Sequence, residues 1–200
     1  MSQLDLLLPL SLFAISMGIT PGPNNVMLTA SGVNFGFRRT VPHMLGVAIG
    51  FPAMVVAIGL GLGGLFETYP QIHTVIKYAG IAYLLWLAWK IATAERTADA
   101  NIKAKPLNFL QAAVFQWVNP KGWVAIVGAI ATYTTVQGNV MQEVLVIAVV
   151  FGVVTIPCIT IWTLFGTAIR RLLRSARARI LFNWSMAALL VASLVPFAIG

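Results

Sequence analysis

The stretch "GITPGPNNVML", residues 18–28, lies inside the first long apolar run of the chain and is built to break a helix. Proline removes a backbone donor and clashes with the preceding turn, and glycine adds conformational freedom. With Pro21 and Pro23 flanking Gly22, regular hydrogen bonding around residues 17–23 is hard to maintain. Carbonyls freed at membrane depth are tolerated only where they face protein or a water-filled cavity. Thr20, Asn24 and Asn25 place polar side chains beside them. A second stretch, "QWVNPKGW" at 116–123, repeats the pattern with Gln116, Asn119, Pro120, Lys121 and Gly122. One such interruption reads as a packing kink whose polar side chains satisfy freed backbone. Two at corresponding places point to the two halves of a transport site.

Composition sets the solvent. Of 200 residues, 59% are hydrophobic and 9% charged, against about 45–50% and about 25% in soluble domains. An integral, all-α membrane protein follows. The net charge of +8 would suggest nucleic acid in a soluble chain, but here the basic residues cluster in short loops, where they set topology. The single cysteine, Cys158, lies in an apolar run. It leaves no intrachain disulfide or cysteine-based metal site and reads as a small buried hydrophobe. The N-terminus lacks the basic region of a signal peptide, its one charge being Asp5, so it reads as a first span and not a removed leader.

A crossing helix needs about 20 apolar residues. Six stretches qualify, at 5–31, 42–65, 72–93, 107–134, 141–167 and 180–199, in one domain covering 1–200. Arg38, Arg39, Lys90, Arg96, Lys103, Lys105, Arg170, Arg171, Arg174, Arg177 and Arg179 fall on one side and Lys77 on the other. Positive charge collects on the cytoplasmic face, which puts both termini outside. The run "RRLLRSARAR" at 170–179 could also meet anionic lipid, but orientation already explains it. Trp86, Trp89 and Tyr69 read as interfacial anchors, and Gly46/Gly50 and Gly59/Gly63 as close helix contacts. Three spans per half, in units 1–93 and 107–200, require the second half to be inverted relative to the first. Spans 1 and 4 are then the broken helices of an inverted 3+3 repeat.

Lys121 lies about 14 positions into its span, roughly 20 Å from either end at 1.5 Å per residue. Placing a lysine there costs about 2.5–3.5 kcal/mol. No Asp or Glu lies mid-span to pair with it. The remaining partners are Asn and Gln oxygens, backbone carbonyls, water or an anionic ligand group. A fixed cation disfavours a metal-cation pore and suits a substrate carboxylate. Alternatively, desolvation removes its proton, making it part of a relay. His43 is the other candidate proton carrier, although its place beside Pro42 near the end of span 2 also fits an interfacial or hydrogen-bonded histidine.

"TPGPNN", "QWVNPKG" and "YAGIAYLLWLAWKI" at 78–91 resemble the LysE/RhtB family of bacterial amino-acid exporters, nearly end to end. "ASGVNFGFRRTVPHMLGVAIGF" at 30–51 resembles the subgroup associated with cysteine and O-acetylserine export. The resemblance implies proton-driven efflux of small amino acids across the bacterial inner membrane, without ATP or any cofactor. Thr20, Pro21, Gly22, Pro23 and Asn24 match the first motif, and Gln116, Asn119, Pro120 and Lys121 the second. On this reading Lys121 holds the carboxylate, while Asn24, Asn25, Asn119 and open carbonyls hold the amine and side chain.

Two other classes compete. Catalysis needs a poised base or carboxylate, and none lies mid-span, so an enzyme is disfavoured. No cluster of metal ligands is present in the sequence. A non-transporting scaffold or receptor subunit stays open, although short loops offer it little docking surface. Glycine-rich faces serve contacts within a chain as readily as between chains, so a homo-oligomer fits equally well.

Overall fold

The first apolar run is broken at the TPGP stretch. A computed structural model describes residues 3–62, 70–94, 105–134, 139–173 and 175–195. Within it, α1 (Gln3–Ile19) and α2 (Pro23–Phe35) meet at a bend of 53°. Gly22 before the break is fully extended, and Pro23 opens α2, a first-turn position where the missing N–H costs nothing. The second stretch does the same: α5 (Phe109–Val118) ends, Asn119 is extended, and Pro120 opens α6 (Pro120–Tyr133).

The other elements are α3 (Phe37–Ala57), α4 (Pro70–Ala92), α7 (Val140–Leu172) and α8 (Ala176–Ala192). A π-helical turn over Ile58–Leu62 prolongs α3 and contains Gly61 at φ 112°. No strand occurs among the described residues. Three expected boundaries move. Gly36, at φ 79°, makes the α2–α3 turn in one residue, so α3 begins at Phe37 and not at 42, taking Arg38 and Arg39 into its first turn. The fifth span continues past 167 to Leu172, with Arg170 and Arg171 in its last turn, where cations favour the helix dipole. The sixth begins at Ala176 and not at 180, because the Ser175 hydroxyl caps it by accepting from Ala178 N. Gly63, Tyr69, Arg96, Lys103 and Arg174 lie outside the described residues, as do the side chains of His73 and Lys77.

Long α7 is the spine, packed by α1, α2 and α3; α3 also packs on α5, and α4 on α8. Small residues set how close these crossings are. A Cβ at Gly32 would strike the Thr163 carbonyl oxygen, and one at Gly166 the Thr29 carbonyl oxygen, so α2 and α7 touch backbone to backbone. Gly46 and Gly50 bring α3 equally close to Phe109, Ala112 and Ala113 of α5, as their spacing suggests. Gly59 meets Val144.

The surface is apolar. Along α7, Leu145, Val149, Val153 and Ile156 form an exposed stripe, with Val149 at 63% and Val153 at 64%. An apolar face on that scale belongs in lipid. Helices Phe37–Gly61 and Val140–Leu172 are each long and apolar enough to cross a membrane, and the bent pair Leu6–Ile19 and Pro23–Phe35 qualifies together. The chain is an all-α, multi-pass membrane protein. Its polar side chains point inward and find one another: Asn34 pairs with Asn183 at 3.0 Å, and Ser31 with Thr40 at 2.8 Å.

Candidate functional site

Both breaks open on one cavity of about 70 Å³, in a measure in which one water needs roughly 10–15 Å³. Pro23, Asn24 and Asn25 border it from the start of α2, and Asn119, Lys121 and Gly122 from the start of α6. The first amides of a helix have no intrahelical partner, and the helix dipole makes that end positive. Two helix N-termini therefore converge on the space that also receives the Lys121 side chain. Such termini bind anions.

Lys121 is half-buried, and its ammonium donates to the Thr20 carbonyl at 2.5 Å. Its stem lies across Gly22, where any Cβ would overlap it. Asn25 donates through Nδ2 to the Gly18 and Thr20 carbonyls, each at 2.9 Å, satisfying backbone that the break in α1 leaves open. Asn24 and Gln116 exchange amide hydrogen bonds at 2.8 and 3.3 Å and tie the two breaks together. Asn119 is buried, and its Oδ1 has no hydrogen-bond partner. A buried acceptor of this kind calls for a donor, and an ammonium group supplies one.

The sequence-derived candidates thus divide by placement. Gly22, Asn24, Asn25, Asn119, Lys121, Pro23 and Gly122 line the cavity; Thr20, Pro21, Gln116 and Pro120 do not. Thr20 turns its hydroxyl back to the Ser16 carbonyl and contributes its own carbonyl to Lys121. Gln116 is fully buried and also donates to the Ala112 carbonyl. His43 lies elsewhere. It is not hydrogen-bonded: it is 1% exposed and neither ring nitrogen has a partner, because helix packing covers it.

The remaining wall could not be read from motifs. Phe51 and Phe151, with ring centroids 5.3 Å apart, close one side, and Thr155 and Cys158 of α7 face the same space. Cys158 is buried, as expected, but it is also a cavity residue lying against Gly18. The available signal was two small polar side chains three residues apart, on one helical face, around Pro157. The arrangement combines one cation, Lys121, and two helix N-termini with Asn119, whose buried Oδ1 is unpartnered, and an apolar, thiol-bearing wall. Among the described residues no three His, Cys, Asp or Glu side chains gather as a metal site would need.

Comparison with known proteins agrees with this architecture. The model of the LysE type translocator family matches residues 15–199. The chain is 30% identical over 163 residues to the cysteine/O-acetylserine efflux proteins of Escherichia coli (strain K12) and Shigella flexneri, covering 81% of this chain and 83% of each relative. The same-named protein of Escherichia coli O1:K1 / APEC is 29% identical over 163 residues. No solved structure matches. The chain belongs to the LysE type translocator family.

Proposed function

We propose that this protein is a secondary exporter of small amino acids or their derivatives, with cysteine and O-acetylserine as the leading substrates. The observation that carries the reading is the meeting on one small cavity of two helix N-termini, the Lys121 side chain and Asn119, whose buried Oδ1 lacks a hydrogen-bond partner. The amides and Lys121 take the substrate carboxylate, and Asn119 takes its ammonium. Thr155, Cys158 and the Phe51–Phe151 wall enclose a short side chain. The efflux proteins that resemble the chain support the substrate class.

Six spans in a bacterial inner membrane, with both termini outside and the halves inverted, complete the proposal. Pro23 and Pro120 open equivalent half-helices. Moreover, α1 packs on α7 as α5 packs on α3, and such a two-fold maps the α3–α7 and α4–α8 pairs onto themselves, although the close α2–α7 crossing has no counterpart of similar extent between α6 and α3. Rocking of one half against the other would expose the cavity alternately. Proton coupling would use Lys121 or His43.

Purified protein in liposomes, preloaded with one unlabelled amino acid, tests this by counterflow of labelled cysteine, O-acetylserine, threonine and homoserine. Exchange of one or more of these above protein-free liposomes is expected. An imposed pH gradient should drive accumulation that a protonophore collapses. No flux of any of the four by folded protein would overturn the reading and favour a scaffold.

A further inference from the structure

A second, larger cavity, of about 600 Å³, lies at the arginine-rich end of the bundle between α2, α3, α4 and the start of α5. Lys90 and Lys105 are on its wall, and no acidic side chain lines it among the described residues. Lys90 is held with its ammonium 4.6 Å from the centre of the Trp86 ring, which fixes one of the two charges in place. Ser31, Asn34 and Gln111 border it too, hydrogen-bonded to Thr40, Asn183 and Asn108. His43 borders the same space from α3, and its buried ring nitrogens are unpartnered. A neutral imidazole carries one N–H that needs an acceptor.

The two cavities are stacked along one helix. Asn24 borders the smaller one, and Met27, three residues on, borders the larger. The reciprocal Asn24–Gln116 amide pair stands at that turn. A solute in the larger cavity would therefore be one helical turn from the Lys121 site. Two cationic side chains, one of them held on Trp86, with no carboxylate on the wall among the described residues, raise the local concentration of anionic groups.

We infer that the larger cavity is a water-filled vestibule for small carboxylate-bearing solutes, in which Lys90 and Lys105 attract the carboxylate before it reaches the Asn24–Gln116 pair. That the solute then proceeds to Lys121 rests on the transport reading above; the vestibule itself does not.

The test needs neither a known substrate nor transport. Ser31→Cys, buried in the cavity, and Gln111→Cys, nearer its mouth, are made separately in a Cys158→Ala background of the full chain. Each purified variant, shown to be monodisperse, is labelled with anionic sulfonatoethyl and cationic trimethylammonioethyl methanethiosulfonate. Rates are divided by each reagent's rate with free 2-mercaptoethanol. The anionic reagent is expected to be favoured by roughly threefold or more, with the preference falling towards one in Lys90→Gln/Lys105→Gln. Failure of both reagents to react at both positions would mean a cavity closed or filled by lipid, and would overturn the vestibule. Equal normalised rates, or a preference for the cation, would overturn its selectivity for carboxylates. Either failure leaves the Lys121 site standing, and absence of flux with intact anion preference would remove only the transport reading.

Discussion

The Lys121 ammonium donates to the carbonyl of Thr20, so a cation from one helix break is held by backbone that the other break sets free. Neither half of the contact would exist in an unbroken bundle. A carbonyl inside a continuous helix is already bonded, and a lysine within a regular span would have no polar surface to meet. The two interruptions therefore compensate each other and leave the ammonium beside two helix N-termini.

Gly22 should be intolerant of substitution for reasons of function and not of folding. In Gly22→Ala the new Cβ would lie 2.6 Å from Lys121 Cδ. The end of a flexible side chain can move away, so the apparent Tm should shift by only a few degrees. Counterflow should fall at least tenfold as Lys121 leaves its position. A thermal shift assay beside counterflow separates the two; a large drop in Tm would assign Gly22 to packing.

Gly166→Ala should behave in the opposite way. Its Cβ would strike the Thr29 carbonyl oxygen across the α2–α7 crossing, and backbone cannot swing aside. Overpacking of this kind costs about 1–3 kcal/mol. Thermal unfolding in detergent should show a clear loss of stability, and wild-type stability would show that this crossing is looser than described.

Asn24 and Gln116 should be coupled. Removing Asn24 strands the amide of fully buried Gln116 at about 1–3 kcal/mol, and removing Gln116 leaves half-buried Asn24 without its partner, whereas the double variant strands neither. The effects of Asn24→Ala and Gln116→Ala on unfolding should therefore sum to more than that of the pair together, by at least about 0.5 kcal/mol. Additive effects would mean that the pair contributes no shared energy.

Cys158 marks the wall against which a substrate side chain would rest. Cys158→Phe should fill the cavity and stop counterflow without unfolding the protein. Unimpaired exchange by Cys158→Phe would place the substrate elsewhere.

The legible part of this structure was local. Proline and glycine act on the backbone within a turn or so, and both helix breaks were readable from "TPGP" and "VNPKG" alone. The need of Lys121 for a partner was readable too, since no mid-span acid exists. Its actual partner was not, because a carbonyl carries no sequence signature and becomes available only through the other break. The same limit applies to His43, whose burial depends on helices distant in sequence, and to Asn119, whose free oxygen is defined by what fails to reach it. The start of α3 was misplaced because one glycine at φ 79° does the work of a loop.

Counterflow of labelled cysteine or O-acetylserine, whichever the wild type exchanges, into liposomes bearing Lys121→Gln at matched folded amount is the most direct test of the Lys121 site. A hydrogen bond to a charged group contributes about 1.5–3 kcal/mol, so exchange at subsaturating substrate should drop roughly ten- to a hundredfold. Exchange by Lys121→Gln at the wild-type rate would contradict the assignment of the substrate carboxylate to Lys121.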